Sequence, residues 1–106
     1  EQNLVRLIQT LRTEFNAPKA KFVCATLGQT EKDNAEGAEK MILEAQLAVD
    51  GDTGKHPDFK GNTATVYTHP LSQGGASNSH YNGNAQTYMD VGTAMGEAMI
   101  KLLESH

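Results

Sequence analysis

Tryptophan is absent from this chain, and three Tyr and three Phe are its only aromatics. Its interior therefore has to be built from Leu, Val, Ile, Met and Ala. A chain of 106 residues buries a smaller share of its surface than a larger domain does, so that core is thin. The single cysteine, Cys24, excludes a disulfide within the chain. Lying inside an apolar run, it reads as a buried, inert thiol. Basic residues are few and scattered: nine Lys and Arg against thirteen Asp and Glu give a net charge of −4, and no clustered basic face for nucleic acid is visible. No apolar run approaches the roughly 20 residues a membrane span needs, and nothing at the start reads as a signal peptide. Neither nucleic acid nor a membrane is expected as a partner.

What is present is periodic. Leu4, Val5, Leu7, Ile8, Leu11 and Phe15 recur at three- and four-residue steps, with Arg6, Gln9, Arg12 and Glu14 on the other face. This spacing predicts an amphipathic helix over about 3–15, ended by Asn16, Ala17 and Pro18. The chain thus opens inside a helix pattern, as a fragment would. Lys21 to Gly28 is an apolar run without polar alternation, the signature of a strand buried on both faces of a parallel sheet. A second helix is expected over about 35–49, capped by Asp33 or Asn34, with Ala38, Met41, Ile42, Ala45 and Val49 on its inner stripe.

From Asp50 to Asn62 the sequence is polar and turn-rich and reads as a surface loop. Thr63 to Thr68 is β-branched and aromatic, a second strand that Pro70 terminates. A loop from His69 to about Asn84 leads into a last helix over about 85–104, with Tyr88, Val91, Met95, Ala98, Met99 and Leu102 facing inward. Gly92 and Gly96 lie one turn apart on it and cost about 1 kcal/mol each relative to Ala, which close packing on a sheet would repay. Asn84 is the expected N-cap of this helix, and Gly83 is the residue free to take positive φ.

The order helix, strand, helix, strand, helix defines an α/β unit with parallel strands. Two such strands leave edges and apolar faces open, so more strands must precede residue 1 or the chain must pair with a copy of itself.

Chemistry concentrates on the loop before the last helix. His80 is the leading catalytic candidate, since an imidazole near its ordinary pKa of about 6.5 can take a proton from a hydroxyl and pass it to a leaving group at neutral pH. The bland alternative is a histidine that caps or packs under the helix. Ser77 and Ser79 are too close in the chain to give His80 an in-line nucleophile. No Gly-x-Ser-x-Gly elbow occurs, and Gly74-Gly75-Ala76-Ser77-Asn78 lacks the Lys and the spacing of a phosphate loop, so a nucleotide site is not expected. His56, His69 and His80 with Asp50, Asp52 and Asp58 show no metal-ligand spacing. No metal and no cofactor is expected.

Residues 77–99, Ser-Asn-Ser-His-Tyr-Asn-Gly-Asn-Ala-Gln-Thr-Tyr-Met-Asp-Val-Gly-Thr-Ala-Met-Gly-Glu-Ala-Met, resemble the carboxyl-terminal block of the sialate O-acetylesterase-like and acetylxylan esterase-like branch of the SGNH hydrolases. Leu4 to Gly28 is similar to the helix and strand that follow that family's third block. The resemblance implies a flavodoxin-like three-layer α/β/α sandwich, of which residues 1–106 are the carboxyl-terminal part of a single domain. It also implies hydrolysis of acetyl esters on sugars by a Ser-His mechanism. The family's serine and its oxyanion-hole Gly and Asn match no position here, which makes the missing amino-terminal half a partner, alongside the acetylated carbohydrate.

The family's histidine falls on His80, and Asn78, Tyr81 and Asn82 would line the sugar site. The acid that usually stands three residues before the histidine is replaced by Ser77, and a hydroxyl cannot stabilise an imidazolium as a carboxylate does. The rival reading is a non-catalytic binding or assembly module, a homo-oligomer, that keeps the α/β frame. A secreted or periplasmic destination would follow from a signal peptide on the parent protein.

Overall fold

The structure, a computed structural model, describes residues 1–73 and 81–104, with Asn82 described by its backbone alone. The elements run α1 (Gln2–Glu14), β1 (Phe22–Ala25), α2 (Gly37–Ala48), β2 (Thr63–Val66) and α3 (Ala85–Glu104), with three-residue 3-10 turns at Pro57–Phe59, His69–Leu71 and Tyr81–Gly83. The two strands pair in parallel in the register Phe22 to Thr63 through Ala25 to Val66. The expected order and type of every element hold. Both strands are shorter than the apolar runs that announce them, because each chain turns off the ladder at a buried threonine, Thr26 or Thr68.

Strand alternation assigns the two faces of the sheet. Phe22 packs on the core of Ile8, Val49 and Phe59, and the Thr65 hydroxyl donates to the Gln46 carbonyl at 2.6 Å, so this face looks toward α1 and α2. Ala64, one residue out of phase, shares a cavity wall with Ala98 and Leu102 of α3. That helix packs across both strands.

Several packing details depart from the periodicity. The 50–62 loop carries the core's largest side chain: Phe59 is 1% exposed, held by the 3-10 turn that Pro57 starts. Arg12, expected on the polar face of α1, turns inward. Its Nε donates to the Ala20 carbonyl and its Nη2 to the Asn62 carbonyl, while the guanidinium lies 5.6 Å from the Phe59 ring centroid. Burial lowers its pKa from the ordinary arginine value, since the charged form loses solvation. On α2 the buried residues are Leu43 and Ala48, followed by Val49, whereas Met41 and Ile42 of the expected stripe are exposed. The N-cap position is Glu36, two residues beyond Asn34, so the cap assigned to Asp33 or Asn34 does not form.

Tyr88 of α3 is half-exposed rather than inward. Gly92 and Gly96 do not meet the sheet: a Cβ at either would find no atom of the described residues within 4 Å. The expected packing role for this pair is therefore wrong. Asn84 does cap α3, its Oδ1 accepting from the Thr87 amide at 2.9 Å, and Gly83 takes φ +68°.

The link from α2 to β2 is held by one carboxylate. Asp50 Oδ2 accepts from the amides of Asp52 and Thr53 and from the Thr53 hydroxyl, and Oδ1 accepts from the Thr65 amide at 2.8 Å. Burial pushes the Asp50 pKa up, but these hydrogen bonds favour the charged form more strongly and leave it below the ordinary carboxylate value.

Candidate functional site

The carboxyl ends of β1 and β2 are stitched together by small polar side chains. The Thr68 amide donates to Thr26 Oγ1 at 3.0 Å and the Thr68 hydroxyl donates back to the Thr26 carbonyl at 2.8 Å. Both threonines are buried, so each polar group needs its partner inside the protein. Ser72 Oγ donates to the Thr68 carbonyl at 2.9 Å, which closes the turn after β2 and leaves that hydroxyl proton engaged.

Gly28 sits between these elements. Its amide donates to the Tyr81 phenol oxygen at 3.2 Å, and its carbonyl lies 2.8 Å from His69 Nδ1. Any Cβ at position 28 would collide with Ser72 Oγ and with the Tyr81 ring. Tyr81 itself has φ +58°, a left-handed backbone that a bulky residue adopts at a cost of roughly 1 kcal/mol or more. The phenol contact and a T-shaped packing on Tyr88, with centroids 5.6 Å apart, hold it there.

His69 gains a defined tautomer from this geometry. A carbonyl can only accept, so Nδ1 carries a proton toward Gly28. Nε2 is 3.9 Å from the Glu31 carboxylate, and the side chain is partly open to solvent. Nearby, the Tyr67 phenol oxygen accepts from the Lys32 amide at 2.8 Å and the Lys32 ammonium sits 4.6 Å from the Tyr67 ring centroid, which fixes the loop bearing Glu31. Thr30, in the same loop, is 1% exposed, and its hydroxyl has no hydrogen-bond partner among the described residues.

Of the residues singled out from sequence, His80, Asn78 and Ser77 lie outside the described residues. Tyr81 is at the carboxyl end of β1, and Asn82 contributes backbone to the Tyr81–Gly83 turn. The segment carrying His80 is bracketed by two anchors. On one side the Gln73 amide donates to Thr87 Oγ1 at 2.7 Å and the Thr87 hydroxyl donates to the Gln73 carbonyl at 3.1 Å; on the other Tyr81 is tied to Gly28.

Sequence reasoning gave His69 no role of its own. A signal existed in its position directly after a strand and before a proline, but its partner Gly28 lies 41 residues away and only the strand register joins them.

Among the described residues no three of His, Cys, Asp and Glu come together as a metal site. Cys24, half-buried in β1, has its thiol pKa raised by burial, the opposite of what a nucleophile needs. A cavity of about 400 Å³ lies at the other end of β2, where Thr63, Ala64, Ala98 and Leu102 meet Asp52, Lys60 and Lys101. Its lining includes no histidine and no hydroxyl paired with a base.

Compared with known proteins, the chain matches no family model, no curated protein sequence and no solved structure.

Proposed function

We propose that residues 1–106 are the carboxyl-terminal part of an SGNH-type carbohydrate esterase, a flavodoxin-like three-layer domain that hydrolyses acetyl esters on sugars. His80 is the general base in this reading. It takes the proton of a serine hydroxyl as that oxygen attacks the acetyl carbonyl, and returns the proton to the departing sugar oxygen. It then draws a proton from water, which attacks the acyl-enzyme and releases acetate. The serine and the oxyanion donors come from sequence outside these residues. Asn78, Tyr81 and Asn82 contact the sugar.

One observation carries the proposal: the 77–99 block that resembles the family's histidine block begins its helix at the carboxyl edge of a parallel sheet, with Gln73 and Tyr81 pinned there on either side of His80. The test is acetate release from O-acetylated sialic acid and acetylated xylan by the full encoded polypeptide. His80→Ala is expected to lower kcat by at least about a thousandfold with folding intact, a loss of the size triad members show. Retained turnover in His80→Ala, with loss in His69→Ala, would transfer the base to His69.

The second reading is a non-catalytic assembly module. Ser77 in place of the orienting acid and the exposed large apolar side chains of α1 and α3, such as Leu7, Met89 and Ile100, favour it. It expects no acetate release from any variant.

A further inference from the structure

Basic residues that are scattered along the sequence gather in the fold around the cavity beside Ala64. Lys60, from the loop before β2, and Lys101, from the last turn of α3, both line it. Neither ammonium has an ion-pair or hydrogen-bond partner among the described residues. Two further cations touch residues of the same wall. Lys21 Nζ donates to the Gly61 carbonyl at 3.1 Å, and Arg12 Nη2 donates to Thr63 Oγ1 at 3.2 Å. Four of the nine Lys and Arg therefore meet at one cavity of a chain whose net charge is −4. Facing them, Asp52 is the one carboxylate among the wall residues. Asp50 is occupied by the amides of its own loop and of Thr65. The carboxyl end of α3 contributes about half a negative charge, which Lys101 in its last turn offsets. The rest of the wall is apolar, formed by Ala64 of β2 with Ala98 and Leu102 of α3. Alanine at two of these positions leaves about 400 Å³ open, a volume within the range of small-molecule sites.

We propose that this cavity binds a small organic carboxylate, with its apolar body on Ala64, Ala98 and Leu102 and its charged end between Lys60 and Lys101. Both parts of the wall are needed for that choice. An inorganic anion would leave the apolar surface wet, and an uncharged body would leave two ammonium groups without a counter-charge. Lysine suits the task because its four-carbon stem covers apolar surface while its ammonium stays at the solvent edge. Asp52 narrows the class further: it repels a second negative charge on the ligand, so a monoanion is preferred over a phosphate dianion. The two lysines stand on elements far apart in sequence, and only the packing of α3 on β2 brings them to one wall. This site does not rest on the esterase reading.

An NMR titration of the full encoded polypeptide with sodium hexanoate is expected to shift the amides of Ala64 and Ala98 and to give a Kd of about 1 mM or tighter, as a ligand of this size can supply. Hexanol, the same body without the charge, should bind about threefold or more weakly, and inorganic phosphate, the charge without the body, should leave both amides unmoved. Lys60→Gln and Lys101→Gln together should weaken hexanoate by about threefold or more, the size of two exposed charge contacts, and leave hexanol unchanged. Lys40→Gln, on α2, should change neither. Ala98→Leu should abolish binding by filling the space; the exposed lysine variants keep the test open should that variant fail to fold. No shift of either amide at about 10 mM hexanoate overturns the proposal. So does hexanoate binding that the lysine pair does not affect, or that hexanol or phosphate equals.

Discussion

Gly28 and Gly96 stand in opposite surroundings. A Cβ at Gly28 would run into a serine hydroxyl and a tyrosine ring, whereas at Gly96 it would meet nothing among the described residues. The same contrast runs through the molecule. At the carboxyl ends of the strands a chain of hydrogen bonds joins the neighbours, through Thr26 with Thr68, Gly28 with Tyr81 and His69, and Gln73 with Thr87. On the outer sides of the helices large apolar side chains stand free, among them Phe15 at 76% and Met41 at 72% exposure. Two short parallel strands can organise one edge well with hydrogen bonds, but they offer too little sheet to cover three helices. The chain concentrates its hydrogen bonds where the backbone turns, and its exposed apolar surface lies on the helices.

Substitutions that add or remove single groups can break this comparison. The largest effect is expected at Gly28→Ala, where no neighbour can yield without losing a hydrogen bond; a loss of about 3 kcal/mol or more, read by urea unfolding, is the outcome of overpacking a closed turn. A loss below about 1 kcal/mol would mean that this edge is looser than its contacts imply. Asp50→Asn should cost about 1–3 kcal/mol, the range for hydrogen bonds to a charged group. It should also change the pH profile. The folded pKa of Asp50 lies below its unfolded value of about 3.8, so its stabilisation is present above that value and is lost as pH falls through the lower folded one. The variant should therefore flatten the acid limb of a stability curve, and an unaltered limb would assign acid sensitivity elsewhere.

A smaller loss is expected for Tyr81→Phe, which removes the acceptor for the Gly28 amide but keeps the ring on Tyr88; about 1 kcal/mol by thermal unfolding is the expected size. Smallest and opposite in sign, Gly92→Ala should raise the stability of the dilute chain by about 0.5–1 kcal/mol, because an open helix face accepts a methyl group at no cost. Destabilisation there would show the face to be covered within the single chain.

Sequence periodicity located all five elements, since three- and four-residue spacing in the helices and the apolar runs at 21–28 and 63–68 are local signals. What stayed hidden was set by distant partners. Phe59 sits in a stretch so rich in Asp, Gly and Lys that its burial depends on Val49 and Ile8, neither of them near it in the chain. Arg12 reads as a solvent-facing residue of α1 until the carbonyls of Ala20 and Asn62 are brought beside it. On α2 too many residues are apolar for spacing to choose among them, and tertiary contact selected Leu43 and Ala48 over Met41 and Ile42. In the candidate site, the cap at Asn84 and the turn glycine at Gly83 were legible because both act within three residues. The pairing of His69 with Gly28 was not, because strand register creates it.

The two anchors at Gln73 and Tyr81 also bear on how this protein can change over generations. Each is tied to the frame by a contact outside the segment between them, Gln73 to Thr87 and Tyr81 to Gly28. Loop closure becomes costlier only with the logarithm of length, about 0.6 kcal/mol for each doubling. Changes in the number of residues between the anchors are thus expected to leave α3 and the strands in place, read as an unchanged circular dichroism spectrum. The frame works as a socket, and new recognition can be grafted into it without the protein having to be refounded around each trial.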